Sequence, residues 1–321
     1  MSEIALNNEY ELDHSLDDLF VPVKIDEEES EHLSAEPYSY WKSVFRVFIH
    51  KPAAIISIIT FIILIIGIVV IPRFASATDF EGGVDFVNAA PSANHIWGCD
   101  SKGRDLFFIT WSGAGSSLGL ALISSAIVTV LGVIFGLIWG YLKKIDWFFV
   151  ELYNLVVNIP SLLVYMLLST IFSHSLPWIS PEGRLIFSLC LTGWLGLAYM
   201  IRNQVLIIDN REYNVASKTL ATPASRIMFK NYLPFILGII ITDFSLIVPG
   251  MISSEVSMSY FGVGLPKDRI AIGAILELGT KEFQQRPWQV LAPGLLMAII
   301  IFIFFLFGMA LSDALDPKKH R

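Results

Sequence analysis

The chain is poor in the residues that staple, cut or bind metal. It has two cysteines, Cys190 inside an apolar run and Cys99 in a polar loop expected on the other side of a span. A bridge needs Cα atoms within about 7 Å, so no disulfide framework is expected. Six histidines are scattered, with no pair at H-x-x-x-H spacing, and a zinc site is not predicted. The phosphate-binding pattern G-x-x-x-x-G-K-[ST] is missing, which excludes nucleotide hydrolysis through that loop. Residues 115–119, GSSLG, match the G-x-S-x-G of serine hydrolases, but a nucleophile elbow needs a strand before it, and this stretch lies within one apolar run. Charge is scarce too: 16% of residues are charged against 54% hydrophobic. With a mean hydropathy of +0.62, an ordinary soluble domain is excluded.

What the chain has in abundance is apolar runs long enough to cross about 30 Å of hydrocarbon, roughly 20 residues each. They fall near 53–72, 113–140, 150–173, 185–201, 236–257 and 290–312, predicting an all-α polytopic protein with six spans. The first begins after about 50 residues rich in acids, so it is expected to stay as a helix rather than be cleaved as a signal. With the N-terminus in the cytoplasm, only eight of the 22 basic residues lie outside, which predicts cytoplasmic termini and a cytoplasmic stretch 202–235.

Residues 1–36 hold twelve acids against one Lys. They are expected to form a solvated cytoplasmic tail, with a docking arm as the other reading. Residues 37–52, PYSYWKSVFRVFIHKP, interleave aromatic and basic residues. Beside a span this predicts a helix at the headgroup level, in contact with membrane lipid, and not a nucleic-acid site. The order expected is then span one over 53–72, an extracellular segment 73–112, a core 113–317 carrying the loop 202–235, and a cytoplasmic end 318–321.

Within the spans, Gly115, Gly119, Gly132, Gly136 and Gly140 recur at four-residue steps and predict one helix face that packs closely against protein, a path-lining role being the alternative. Asn154 and Asn158 share a face ahead of Pro160, which can bend the helix. They serve either hydrogen bonds between helices or a translocation path. Asp243 lies about 10 Å into the fifth span at 1.5 Å per residue. Glu255 sits near its outer end past a Pro249-Gly250 break, and either carboxylate is a candidate for a cavity. A single Asp without a His or Lys partner is thin support for proton coupling, and no repeat with paired broken helices accompanies it. A proton-coupled secondary transporter therefore stands only as the alternative function.

The stretch EYNVASKTLATPASRIMFKNYLP (212–234) predicts two short helices. The first spans about Glu212 to Leu220, and the second begins at Pro223 with Thr222 as N-cap. Its small face, Ala216 and Ser217 with Leu220 and Ala221 nearby, suits a groove on another protein, and Asn214 is expected to point outward into water.

This stretch resembles the cytoplasmic loop of inner-membrane permease subunits of ATP-binding-cassette importers: E-A-A, three residues, G, nine residues, I-x-L-P. The register gives Val215, Ala216 and Ser217, then Ala221, then Asn231-Tyr232-Leu233-Pro234, with Val, Ser and Ala replacing the motif Glu, its second Ala and its Gly. Glu212 is the nearby carboxylate. HIWGCDSKGRDLF (95–107), SEVSMSYFGVGLP (254–266), GAILELG (273–279) with RPWQVLAPG (286–294), and LSDALDP (311–317) resemble signatures of the C-type subunit of oligopeptide and dipeptide importers, with Cys99 where Thr is usual. The resemblance implies a six-helix permease of the bacterial cell membrane, non-catalytic and without a cofactor of its own. It implies pairing with a second, related permease. Two cytoplasmic ATPase subunits would use ATP and Mg and dock on Glu212, Val215, Ala216, Ser217, Leu220, Ala221, Thr222, Pro223 and Arg226. An extracellular peptide-binding lipoprotein would deliver the peptide substrate.

Overall fold

The structure is a computed structural model that describes residues 40–265 and 270–315. The acidic stretch 1–36 and residues 37–39, 266–269 and 316–321 lie outside the described residues, and with them the expected tail and C-terminal end. Residues up to Ser43 and from Val44 onward form two units, and of the first only the opening of one helix is described.

Eleven helices are labelled here: α1 Tyr40–Ile49, α2 Pro52–Val70, α3 Ala77–Glu81, α4 Leu106–Tyr141, α5 Asp146–Val157, α6 Ser161–Ser175, α7 Pro181–Asp209, α8 Glu212–Thr219, α9 Leu233–Tyr260, α10 Ile272–Lys281 and α11 Trp288–Leu315. Among the described residues there is no strand, only an isolated bridge between Cys99 and Asp105. The helix starts are legible chemically. Pro52 and Pro181 stand in the first turn, where a missing N–H costs nothing. The Asp105 carboxylate accepts from the Phe107 and Phe108 N–H groups at the head of α4.

Among the described residues, five helices are long and apolar enough to cross a membrane: α2, α4, α7, α9 and α11, taken with short flanking turns. A sixth crossing counts only if α5 and α6 are one span, and these two are bent by 93°. The break falls at Asn158 and Pro160, as proline chemistry allows: Pro160 has no N–H to give the Val156 carbonyl, which accepts from the Ile159 N–H at 3.2 Å, and the Asn158 amide Nδ2 donates to the Asn154 carbonyl at 2.5 Å. The expected break at Pro249-Gly250 is absent. α9 runs unbroken through Pro249, with Val248 and Pro249 buried in the bundle and Ser245 lying against Gly308 of α11. Packing there holds a helix that proline alone would weaken.

α4 and α7 lie along one another, and the glycines explain how. A Cβ on Gly132 would meet Leu197 at 2.9 Å, one on Gly136 the Ala198 carbonyl oxygen at 2.8 Å, and one on Gly140 Val205 at 2.6 Å. These three form the close-contact seam. The other two depart from the expected single face: Gly115 faces Ile68 of α2, and a side chain on Gly119 would meet nothing within 4 Å. The reason is phase. Thirteen residues separate Gly119 from Gly132, and at 100° per residue that turns the two groups to different sides of α4.

α2 is joined to the last helix: Phe61 stands edge-on to Phe304 at 5.2 Å, and Lys51 pairs with Asp313 at 2.7 Å. Phe48 of α1 meets Phe307 in the same way at 5.5 Å.

The segment between α2 and α4 is a folded piece. The Arg104 Nε donates to Asp100 at 2.8 Å, Asp100 also accepts from the Lys102 and Arg104 N–H groups, and His95 Nδ1 lies 2.7 Å from the Asp105 carboxylate. Gly103 is required at φ +78, since a side chain there would lie 2.1 Å from the Gly83 oxygen. The Gln289 amide ties the segment to α11 by donating to the Cys99 carbonyl at 2.9 Å and to Asn88 at 2.8 Å. Cys99, expected in an external loop, is completely enclosed there. Burial, then the nearby Asp105, Asp100 and Asp79, push its thiol up to about 11.

Candidate docking surface

α8 stands between the ends of α7 and the helix leading into α9, and it is built as predicted to within one residue. Its two sides differ sharply. Underneath, Asn214 is fully buried; its Nδ2 donates to the Ile208 carbonyl at 2.8 Å, and its Oδ1 accepts from Asn231 Nδ2 at 2.9 Å. The expectation that Asn214 points into water is therefore corrected. The Ile208 carbonyl, one residue before the end of α7, also accepts from the Arg211 N–H at 3.0 Å, and the Asn214 amide adds a side-chain donor that a valine or leucine could not.

On the opposite side Glu212, Val215, Ala216, Thr219 and Leu220 are exposed. Val215 keeps 50% and Leu220 81% of its surface open. Tyr213 is exposed beside them and stacks on Phe235 with ring centroids 6.0 Å apart. Exposed apolar side chains around a small central Ala make a face whose burial against a partner removes apolar area from water, at about 25 cal/mol per Å². Ser217 is half-buried, and its hydroxyl donates back to the Tyr213 carbonyl.

The helix ends on Ala221, which adopts φ +52. The Ala221 N–H donates to the Lys218 carbonyl and the Thr222 N–H to the Ser217 carbonyl at 3.1 Å, a turn that closes the helix in the left-handed region. A residue with a Cβ is strained there, and glycine is not. The second helix does not start on a Thr222 cap. Pro223 is the capping residue, with no side-chain bond. One helical turn, Ala224–Arg226, passes into a π-helical stretch, Ile227–Tyr232, and on into α9. Pro223 and Arg226 are exposed and Thr222 half-buried.

The path candidates do not converge in one chain. Asn154 and Asn158 are exposed at the α5–α6 break, and Asn158 bonds within its own helix rather than across to another. Asp243 is half-buried in α9. Glu255 is wholly enclosed and accepts from the Ser259 hydroxyl at 2.9 Å.

Sequence reasoning passed over Asp209, which sits at the end of α7 with 4% of its side chain exposed. Lys218 pairs with it, the Tyr232 hydroxyl donates to it at 2.5 Å, and Lys143 Nζ lies 3.8 Å away. An acid at the C-terminal end of a helix is unfavourable against the helix dipole, and that misplacement was the signal in the sequence.

Apolar helices long enough to cross a membrane, five or up to six among the described residues, place the chain in the class of multi-pass helical membrane proteins. A family model described as binding-protein-dependent transport system inner membrane component matches residues 132–321, and one described as N-terminal TM domain of oligopeptide transport permease C matches residues 39–91. The chain belongs to the family of binding-protein-dependent transport system inner membrane components, which are non-catalytic permease subunits. The oligopeptide transport system permease protein AmiD of Streptococcus pneumoniae is 35% identical over 305 residues, 93% of this chain and 96% of its own length. From Bacillus subtilis, the oligopeptide permease protein OppC is 31% identical over 94% of this chain and 98% of its own length, and the dipeptide permease protein DppC 31% over 95% and 94%.

Proposed function

We propose that this chain forms half of the translocation path of an ATP-driven peptide importer in the bacterial plasma membrane, with both termini cytoplasmic. It pairs with a second homologous permease. Two cytoplasmic subunits hydrolyse ATP with Mg, and an extracellular peptide-binding lipoprotein delivers the cargo. The observation that carries this reading is α8: a short helix anchored from beneath by Asn214 and open above at Val215, Ala216 and Leu220. Such a face is ready for a groove, and the ATPase subunits are its occupants. Glu212, Ser217, Ala221, Thr222, Pro223 and Arg226 border the contact. Asn154, Asn158 and Asp243, which the chain alone leaves open or half-open, face the path between the two permeases, whereas Glu255 belongs to the interior of this subunit. ATP-driven closure of the ATPase pair moves α8, and the spans behind it reorient from outward-open to inward-open.

The test is Ala216→Asp against Ala216→Ser. An unpaired carboxylate forced into a buried contact costs several kcal/mol, whereas Ser keeps the size and remains neutral. With expression checked, Ala216→Asp is expected to lose ATPase retention on washed membranes and peptide uptake while Ala216→Ser keeps both. Full uptake by Ala216→Asp would show that α8 is not the docking helix.

A further inference from the structure

We propose that Asp209 is the positioning residue that makes α8 move as one body with the spans, so that displacement of α8 becomes reorientation of the path. This rests on the reading of α8 as the docking helix.

The geometry behind it is a junction. Asp209 is the last residue of α7. Its partner Lys218 lies on α8, its partner Tyr232 ends the π-helical stretch that leads into α9, and Lys143 lies just past the end of α4. Tyr141, the last residue of α4, places its ring 5.3 Å from Lys218 Nζ and 6.4 Å from the Tyr232 ring. Four elements therefore meet on one carboxylate that water hardly reaches, where charge-assisted bonds are strong.

Position on the helix adds to this. Asn214 and Lys218 stand four residues apart on one side of α8, with Ala216 turned about 160° from both at 100° per residue and Val215 at the border, three residues before Lys218. The docking face and the anchoring face are thus separate, and force applied to one leaves through the other. Asn214 grips backbone and a neutral amide; Lys218 grips the charged hub. The π-helical stretch that Tyr232 closes interrupts the regular α-helical bonding ahead of α9, and such turns are rare and frequently found at functional sites. A hub that fixes Tyr232 to α7 makes that stretch transmit displacement to α9 rather than absorb it.

The test uses the assembled importer in lipid vesicles: this chain, the second permease, both ATPase subunits and the binding protein. Peptide taken up from a tryptic casein digest is quantified by mass spectrometry, and ATP hydrolysis is read on the same preparation. Asp209→Asn is expected to keep its ATPase subunits but to transport about ten-fold less peptide per ATP hydrolysed, the range for a residue that couples sites without touching a ligand. Tyr232→Phe, which removes one bond and leaves the carboxylate with Lys218 and Lys143, should lose less than Asp209→Asn, and Asp209→Glu should restore most of the ratio. A structural defect alone would lower both rates together and leave the ratio unchanged. If Asp209→Asn does not accumulate, the ratio is read on Lys218→Met, where the carboxylate keeps Tyr232 and Lys143; it is expected to fall there too. A wild-type ratio in either variant, or loss of the ATPase subunits from Asp209→Asn, overturns the proposal. Failure of the docking reading looks different: Ala216→Asp would then retain its ATPase subunits.

Discussion

Adding one methyl group at either of two glycines of α4 should have opposite effects, and the difference tests how the bundle is held. At Gly136 a Cβ would lie 2.8 Å from the Ala198 oxygen and 2.8 Å from the Ile201 Cβ. Neither can rotate away, since one is backbone and the other is the branch point of its side chain. Carbon contacts prefer about 3.5–4.0 Å, so α4 and α7 must separate by roughly 0.7–1 Å to admit it. Overpacking of this kind costs about 1–3 kcal/mol. The gain in helix propensity from Gly to Ala offsets about 1 kcal/mol of that. At Gly119 nothing lies within 4 Å, so only the gain remains. Gly136→Ala should therefore be less stable than Gly119→Ala by about 1–3 kcal/mol, the whole overpacking term. The assay is the thermal midpoint of the chain in detergent, followed by loss of monodisperse protein on heating. Equal midpoints, or a higher one for Gly136→Ala, would refute the assignment of Gly136 to the seam between α4 and α7.

Ala221→Gly should stabilise the end of α8 by about 1 kcal/mol, because glycine adopts the left-handed φ of this position without a Cβ penalty; slower protease nicking after Lys218 would report it. In a Cys190→Ala background Cys99 should resist an impermeant thiol reagent applied outside, whereas the thiol introduced by Ala93→Cys, at an exposed position, should react and that of Lys144→Cys should not. With the Cys99 thiol raised to about 11 by burial, its thiolate fraction at pH 8 is small, and any labelling should climb as pH rises toward that value. Reaction of Cys99 at neutral pH as fast as that of the Ala93→Cys thiol would contradict the enclosed segment, and Gly103→Ala, by breaking the turn against Gly83, should open Cys99 to the reagent.

The apolar runs, the basic loop and its small residues were legible in the sequence because each is a one-dimensional signal: length against bilayer thickness, charge beside a span, and a helix pattern closed by a turn. The position of α8 was read to one residue for that reason, and so was proline's capacity to bend the third apolar run. What one dimension does not carry is which neighbour a side chain meets. Pro160 and Pro249 are the same chemistry, yet the helix breaks at one and runs through the other, because Pro249 sits inside the bundle with Ser245 against Gly308 and Pro160 is exposed. Asn214 reads as polar and free in the sequence, but it is buried because the end of α7 leaves a carbonyl beneath it. Asp209 carries no motif at all. Its importance comes from Lys143, Lys218 and Tyr232, residues 66, 9 and 23 positions away, and only the folding of four helix ends to one point brings those charges within reach of a single carboxylate.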